Sequence, residues 1–326
     1  MSDSVLVRGE GLRKHFLVQK GFFSQVRGVA QAVDDVTLEV SEGETLALVG
    51  ESGCGKTTVA RLIMGLIPAS EGSVTFMGHD VFSRDERVRR MISREMQMIF
   101  QDVSASLNPR KTVRHILSQP YLLHGERRRR EVDGEVANLL ETVELTPARI
   151  FLDRFPHELS GGQKQRVNIA RAIALRPRFV VTDEPVSGLD MSVRAAILEL
   201  MKTLQREYNQ GYLFITHDLA IVRSLSDRVA VMYLGKIVEE APTEQLFAEP
   251  LHPYTRALLA ATPIPNPRAA RKRERVLLAG EVPSCIDPPR GCRFHPRCSQ
   301  VSEACRKEEP RLRAVGASRL VACDSI

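Results

Sequence analysis

The first forty residues alternate apolar and polar side chains. VLVRGEGLRKHFLV and QAVDDVTLEV carry the two-residue period of half-buried strands. ETLALVG then breaks the period. It is a continuous apolar run, the pattern of a strand buried on both faces, and it passes into a glycine-rich turn. TTVARLIMGLI follows with helical spacing, and EGSVTFMGHDV predicts a hairpin or edge strand. From about residue 102 to 178 the spacing is mostly helical, in VRHILSQPYLL, EVANLLETVEL and QKQRVNIARAIAL. RFVVTDEP predicts a short apolar strand ending in acids. VRAAILELMKTLQREYN is an amphipathic helix, GYLFITHD a buried strand, and RVAVMYLGKIVEEA two more short strands. QLFAEPLHPYTRALLAAT predicts a helix pair broken by Pro253. Strand, glycine loop and helix, followed by further strands and helices, predict an α/β class. Beyond about residue 262 the texture changes. PIPNPRAARKRERV reads as a proline- and arginine-rich linker, and the tail to 326 is turn-rich with little periodicity. No internal repeat is visible.

Composition bounds this picture without changing it. The chain has 326 residues, 43% hydrophobic and 26% charged, enough for one large domain with an appendage and a core of its own. Its net charge of +6 sits in short clusters: Arg87, Arg89 and Arg90; Arg127 to Arg130; and Arg268 to Arg275. Such clusters are solvated faces and a linker, or contacts for lipid headgroups or acidic loops. No stretch approaches the roughly 18 to 20 apolar residues that span a bilayer. The opening residues carry no apolar core of signal-peptide length, so a cytoplasmic chain is expected. The cysteines are Cys54, Cys285, Cys292, Cys298, Cys305 and Cys323. All but Cys54 crowd the tail, where clustered thiols in a reducing compartment suggest metal ligands before disulfides.

The strongest chemical signal is Gly50-Glu51-Ser52-Gly53-Cys54-Gly55-Lys56-Thr57, a match to G-x-x-x-x-G-K-[ST] between a strand and a helix. Glycines let the backbone turn so that its N–H groups converge on phosphate oxygens, and the following helix, which continues through Thr58, points its positive end at the same anion. Lys56 is expected to neutralise the β- and γ-phosphates of ATP, and Thr57 to ligate Mg²⁺. Cys54 reads as a small tolerated residue. Asp183, at the end of an apolar strand, is the expected Mg²⁺ acid, and Glu184 is expected to polarise the attacking water. Leu159-Ser160-Gly161-Gly162-Gln163 places two glycines after a serine at a helix start, a second anion site. One chain needs one phosphate loop, so this second site suggests service to another subunit's ATP.

Together these residues resemble the ABC-type ATPases. Gln101 matches the family's glutamine loop and its Mg²⁺ contact, Ser187-Gly188-Leu189-Asp190 its D-loop, and His217 its switch histidine. Phe16 sits where the family stacks an aromatic on adenine, although it could equally be core. The resemblance covers about residues 1 to 250 in family order. It implies a P-loop ABC core with an antiparallel β subdomain and a helical subdomain over about 102–178. It also implies a head-to-tail pair of such domains with ATP sandwiched between one phosphate loop and the other's Ser160–Gln163 segment. Glu184, His217 and Gln101 are then the catalytic residues.

One branch is closer. The loop sequence, Ser106-Leu107-Asn108-Pro109-Arg110, His252-Pro253-Tyr254-Thr255 and the tail GEVPSCIDPPRGCRFHPRCSQVSEAC resemble the ATP-binding subunits of dipeptide and oligopeptide importers, most of all their F-type subunit. The branch implies an ABC domain over 1–261 and a Cys-rich extension over 262–326. It also implies peripheral residence on the cytoplasmic face of the membrane. The expected partners are a paralogous ATP-binding subunit, two permeases and an extracytoplasmic binding protein. Cys292, Cys298, Cys305 and Cys323 could bring four thiolates to one centre, for zinc, for the [4Fe–4S] cluster that this branch can carry, or for no metal at all. Cys285 leaves the ligand set open. A nucleic-acid function fits poorly, because the basic clusters lack interleaved aromatics. Intact Glu184 and His217 argue against a non-hydrolysing regulatory subunit.

Overall fold

The computed structural model describes residues 4–20, 25–125, 129–261, 280–281 and 283–326. In chain order the elements are β1 (Val5–Lys20), β2 (Gln25–Ser41), β3 (Thr45–Val49), α1 (Lys56–Ile63), β4 (Glu71–Phe76), β5 (His79–Asp80), α2 (Glu86–Glu95) and β6 (Met96–Ile99). There follow α3 (Val103–Ser106), α4 (Val113–His124), α5 (Arg129–Thr142), α6 (Gly161–Ile173), β7 (Phe179–Asp183), α7 (Met191–Tyr208) and β8 (Gly211–Thr216). The remainder is α8 (Leu219–Leu225), β9 (Arg228–Tyr233), β10 (Lys236–Pro242), α9 (Thr243–Ala248), α10 (Pro253–Ala261), α11 (Glu303–Lys307), β11 (Arg313–Ala314) and β12 (Leu320–Val321).

The chain divides into two compact units. The first comprises Met1–Val7, Val40–Glu44 and Phe76–Leu213. Here β6 and β7 pair in parallel, Met96 beside Phe179 and Ile99 beside Thr182. Helices α4, α5 and α6 pack together over Leu117, Val136, Leu140 and Val167, all buried. Thr112 starts α4 by accepting the His115 N–H, and Gly125 ends it in the left-handed conformation, so both helix ends are satisfied by local side chain and backbone.

The second unit comprises Arg8–Glu39, Thr45–Thr75 and Phe214–Ile326. Its strands run β11–β12–β10–β9–β3, with β3 parallel to β9 and Val49 opposite Val231. Every residue of β3 is buried, as its unbroken apolar run requires. A further layer orders β2–β1–β4. Ser70 donates its N–H to the Arg13 carbonyl at 2.8 Å, which ties the start of β4 to β1. Helix α1 buries Val59, Ala60, Leu62 and Ile63.

The structure departs from the sequence expectations in four places. Helix α1 ends at Ile63, short of the eleven-residue apolar segment, because Gly65 takes a left-handed turn ahead of Pro68. Helix α2 and strand β6 lie where no element was expected. Pro253 starts α10 instead of breaking a helix; a first-turn residue has no intrahelical use for the N–H that proline lacks. The tail holds regular structure, since β12 pairs with β10, Val321 opposite Glu239. The expected linker and the Arg268 to Arg275 cluster lie outside the described residues, as do Arg127 and Arg128.

Candidate functional site

The phosphate-type loop leaves β3 at Gly50 and enters α1 at Lys56. Two glycines are fixed by close approach. At Gly50, with φ 155°, a Cβ would lie 2.2 Å from the Met232 carbonyl oxygen; at Gly55, with φ 112°, it would lie 2.1 Å from that of Ala32. Only glycine fits such backbone-on-backbone packing. Lys56 is buried and donates to the carbonyls of Gly50 and Glu51, at 2.8 and 2.9 Å. Its ammonium thus lies against the loop, the position from which a lysine meets phosphate. Cys54 is buried and its thiol is pushed up by that burial, which fits an inert packing residue. Ser52 and Gly53 are exposed at the loop tip, and Thr57 and Thr58 are partly buried in the first turn of α1.

Glu51 is held on three sides. Its N–H donates to the Tyr254 hydroxyl at 3.0 Å, and its carbonyl accepts from Lys56. Its carboxylate takes a two-pronged pair from the Arg297 guanidinium, at 2.8 and 3.2 Å. Neither Tyr254 nor Arg297 was among the expected site residues. Both lie in motifs visible in the sequence, His252–Thr255 and Cys292–Cys298, but the contact between Arg297 and Glu51 spans 246 positions.

In the first unit the acids follow β7. Asp183 is buried at its end, and Glu184 comes next with φ 47°. A left-handed glutamate is uncommon and costs backbone strain of order 1 kcal/mol. Gln101 Nε2 donates to Glu184 Oε2 at 3.0 Å, bringing two of the expected catalytic residues together. Ser106 and Asn108 belong to the segment after Gln101. The Ser106 hydroxyl donates to Asn168 Oδ1 at 3.3 Å, Asn168 Nδ2 to the Phe100 carbonyl at 3.4 Å, and half-buried Arg171 donates to the Ser106 carbonyl. Helix α6 thereby fixes the loop that carries Gln101.

The Ser160 segment caps that same helix. Its hydroxyl accepts the Gln163 N–H at 3.3 Å, and Gln163 Oε1 accepts the Ser160 N–H at 3.0 Å. Ser160 and Gly161 are exposed, and Gly162 and Gln163 partly so, which leaves an α-helix N-terminus open to an external anion. His217, in the second unit, is exposed after β8. Phe16 is 43% exposed on β1 with the Lys14 ammonium over its ring. It is therefore not core.

The tail cysteines gather in the second unit. Burial pushes the Cys292 thiol up to about 11, with the charges of Cys305, Cys298 and Cys323 adding to the rise. Burial likewise raises Cys298 and Cys323, and Cys305 acts on both. Cys305 is lowered by the Ser302 hydroxyl and N–H. The four are thus neighbours electrostatically. Cys285 instead lends its carbonyl to the Gln31 N–H beside β2. Among the described residues, no group of three or more His, Cys, Asp or Glu side chains has metal-holding geometry.

These features define an ATP-binding subunit of the ABC class: a phosphate loop on a β–α junction, an acid pair after a buried strand, and a glycine-rich capped helix. An ABC transporter family model matches residues 33–187, and a model for the oligopeptide/dipeptide transporter C-terminal region matches residues 238–305. The chain is 46% identical to the oligopeptide transport ATP-binding protein AppF of Bacillus subtilis, over 96% of this chain and 94% of that one. It is 44% identical to the dipeptide transport ATP-binding protein DppF of Haemophilus influenzae, over 98% and 97%. With OppF of Escherichia coli it shares 46% identity over 94% and 92%. It also resembles the dimeric ATP-binding cassette MJ0796 bound to ADP and Pi, with a TM-score of 0.64 and 27% identity over 73% of this chain and 99% of that one. The chain belongs to the family of ATP-binding subunits of dipeptide and oligopeptide ABC transporters.

Proposed function

We propose that this chain hydrolyses Mg·ATP as one half of a pair of ABC subunits and uses the cycle to drive import of dipeptides or oligopeptides. The observation that carries the reading is the phosphate loop Gly50–Thr57, with glycines that admit no side chain and a lysine seated against it. In this reading Lys56 and the loop N–H groups bind the phosphates, and Phe16 stacks on adenine. Thr57, Gln101 and Asp183 hold Mg²⁺. Glu184 takes the proton of the attacking water, His217 meets the γ-phosphate, and Ser160–Gln163 serve the ATP of the opposite subunit. The Gln101 hydrogen bond supports the role of Glu184, because it orients the carboxylate.

The partners follow from kinship: a paralogous ATP-binding subunit, two permeases and an extracytoplasmic binding protein. No helix among the described residues is long and apolar enough to cross a membrane. Residence on the cytoplasmic face through the permeases is consistent with that. The ABC domain is assigned to 1–261 and the extension to 262–326.

Glu184→Gln tests the mechanism. Nucleotide binding should persist while steady-state hydrolysis falls roughly a hundredfold or more, the usual contribution of a positioned base. Turnover at the wild-type rate would refute it.

The finer reading of the tail is a [4Fe–4S] site on Cys292, Cys298, Cys305 and Cys323. What supports it is the donor chemistry: soft thiols whose charges oppose one another and would be relieved by a bound cation. Such a group would supply a cross-link among tail segments distant in sequence. Anaerobically purified chain should carry close to four irons and absorb in the visible. Colourless, iron-free protein would remove the cluster.

A further inference from the structure

We infer that Arg297 of the C-terminal extension is a positioning residue for nucleotide binding, acting through Glu51 of the phosphate loop. The inference rests on the reading of Gly50–Thr57 as the ATP loop. The side chain of Glu51 is a carboxylate inside a loop meant for phosphate. Left unpaired it would repel the ligand and leave the loop free to move. Arg297 answers both problems. Its fork grips both carboxylate oxygens, which fixes the angle of the side chain and cancels its charge.

The grip is built, not incidental. The Arg297 side chain is 7% exposed and that of Glu51 25%, so water screens the pair little. The Arg297 Nε is buried without a hydrogen-bond partner, while both terminal nitrogens reach the Glu51 carboxylate with the Tyr233 ring beside the guanidinium. Arg297 ends a single 3₁₀ turn, His295–Arg297, that follows Phe294. Phe294 is 2% exposed and packs against Tyr233 and Tyr254, with ring centres 5.3 and 5.4 Å away. Tyr254 is the residue whose hydroxyl takes the Glu51 N–H. One aromatic cluster therefore places both groups that hold Glu51, the hydroxyl from α10 and the guanidinium from the tail. Cys292 and Cys298, on either side of Arg297 in sequence, pack against the same cluster.

The test is equilibrium binding of Mg·AMP-PNP to the full-length chain, with ATPase kinetics alongside. Arg297→Met should weaken binding at least fivefold and raise KM for ATP to match, with kcat within about twofold. Arg297→Lys, which keeps the charge but loses the fork, should fall between the two. Glu51→Gln placed in the Arg297→Met background should bind at least twofold better than Arg297→Met alone, because the unpaired carboxylate is gone. A merely structural role for Arg297 would not produce that recovery. Equal binding by wild type and Arg297→Met, or a double variant weaker than Arg297→Met, would overturn the inference. Should Arg297→Met fail to fold, the neutral but polar Arg297→Gln, alone and with Glu51→Gln, carries the same comparison. Wild-type protein that does not bind Mg·AMP-PNP would instead sink the ATP-site reading itself.

Discussion

His252 shows how a single side chain ties the motif His252–Thr255 to the site. It is 1% exposed, and its Nδ1 accepts the Tyr254 N–H at 3.1 Å, so the ring is neutral at that nitrogen. Burial, aided by Arg256, lowers its pKa to about 4. The unfolded chain takes up this proton near pH 6.5 and the folded chain refuses it until about pH 4. Stability is therefore lost as pH falls through that window and is level below it, by about 3 kcal/mol at most. In His252→Asn the amide oxygen can still accept the Tyr254 N–H but does not titrate. Urea midpoints measured from pH 7.5 to 4.5 should show a steeper fall for wild type than for the variant; parallel curves would refute the assignment. The placement of Gly50–Thr57 at a strand–helix junction and of Asp183 and Glu184 at a strand end was legible from residue types and spacing alone. Arg297 was not, because no local pattern marks an ion pair between residues 246 positions apart. The left-handed backbone of Glu184 was equally hidden, since sequence favours glycine or asparagine there.

At the scale of elements, hydrophobic period located what buries a whole face and missed what does not. Strands β3 and β7 are entirely buried, and their apolar runs mark them plainly. Helix α2 buries Ile92 alone, so it offers no apolar stripe to find. Its signal is instead a cap, Asp85 accepting the Arg87 N–H, and the arginines that looked like a charge cluster are its solvated face. Strand β6 spans only Met96–Ile99 between that helix and Gln101, below the length at which alternation can be counted. The end of α1 was recoverable from Gly65 and Pro68, turn residues outweighed by the apolar Met64, Leu66 and Ile67 around them. At the start of α6, Ser160 and Gln163 close a capping box within four residues, in a segment whose sequence pointed first to an anion site.

Across the whole molecule, composition separated the tail from the body, whereas contacts join them. Strand β12 extends β10, and Arg319 pairs with Glu239 and Glu249. Arg293 pairs with Asp34, and Lys236 with both Asp34 and Glu309. The buried Glu239 carboxylate accepts the N–H groups of Leu251 and His252 and pairs with Arg319. A partner deleted from such a buried pair leaves an uncompensated charge, which costs about 3 to 5 kcal/mol.

The grip of Arg297 on Glu51 has a consequence that runs in the other direction. Coupling between two binding events is reciprocal, so if the tail tightens the hold on ATP, then ATP must tighten the tail by the same factor. A saturated nucleotide site then acts as a guard on the tail thiols. In iron-free chain, alkylation of Cys292 and Cys298 by a maleimide should slow when Mg·AMP-PNP is bound, and Arg297→Met should erase the difference. Labelling rates indifferent to nucleotide in the wild-type chain would show that the two ends do not communicate. If they do, the supply of ATP and the chemical integrity of the tail become one quantity, sensed at either end of the chain.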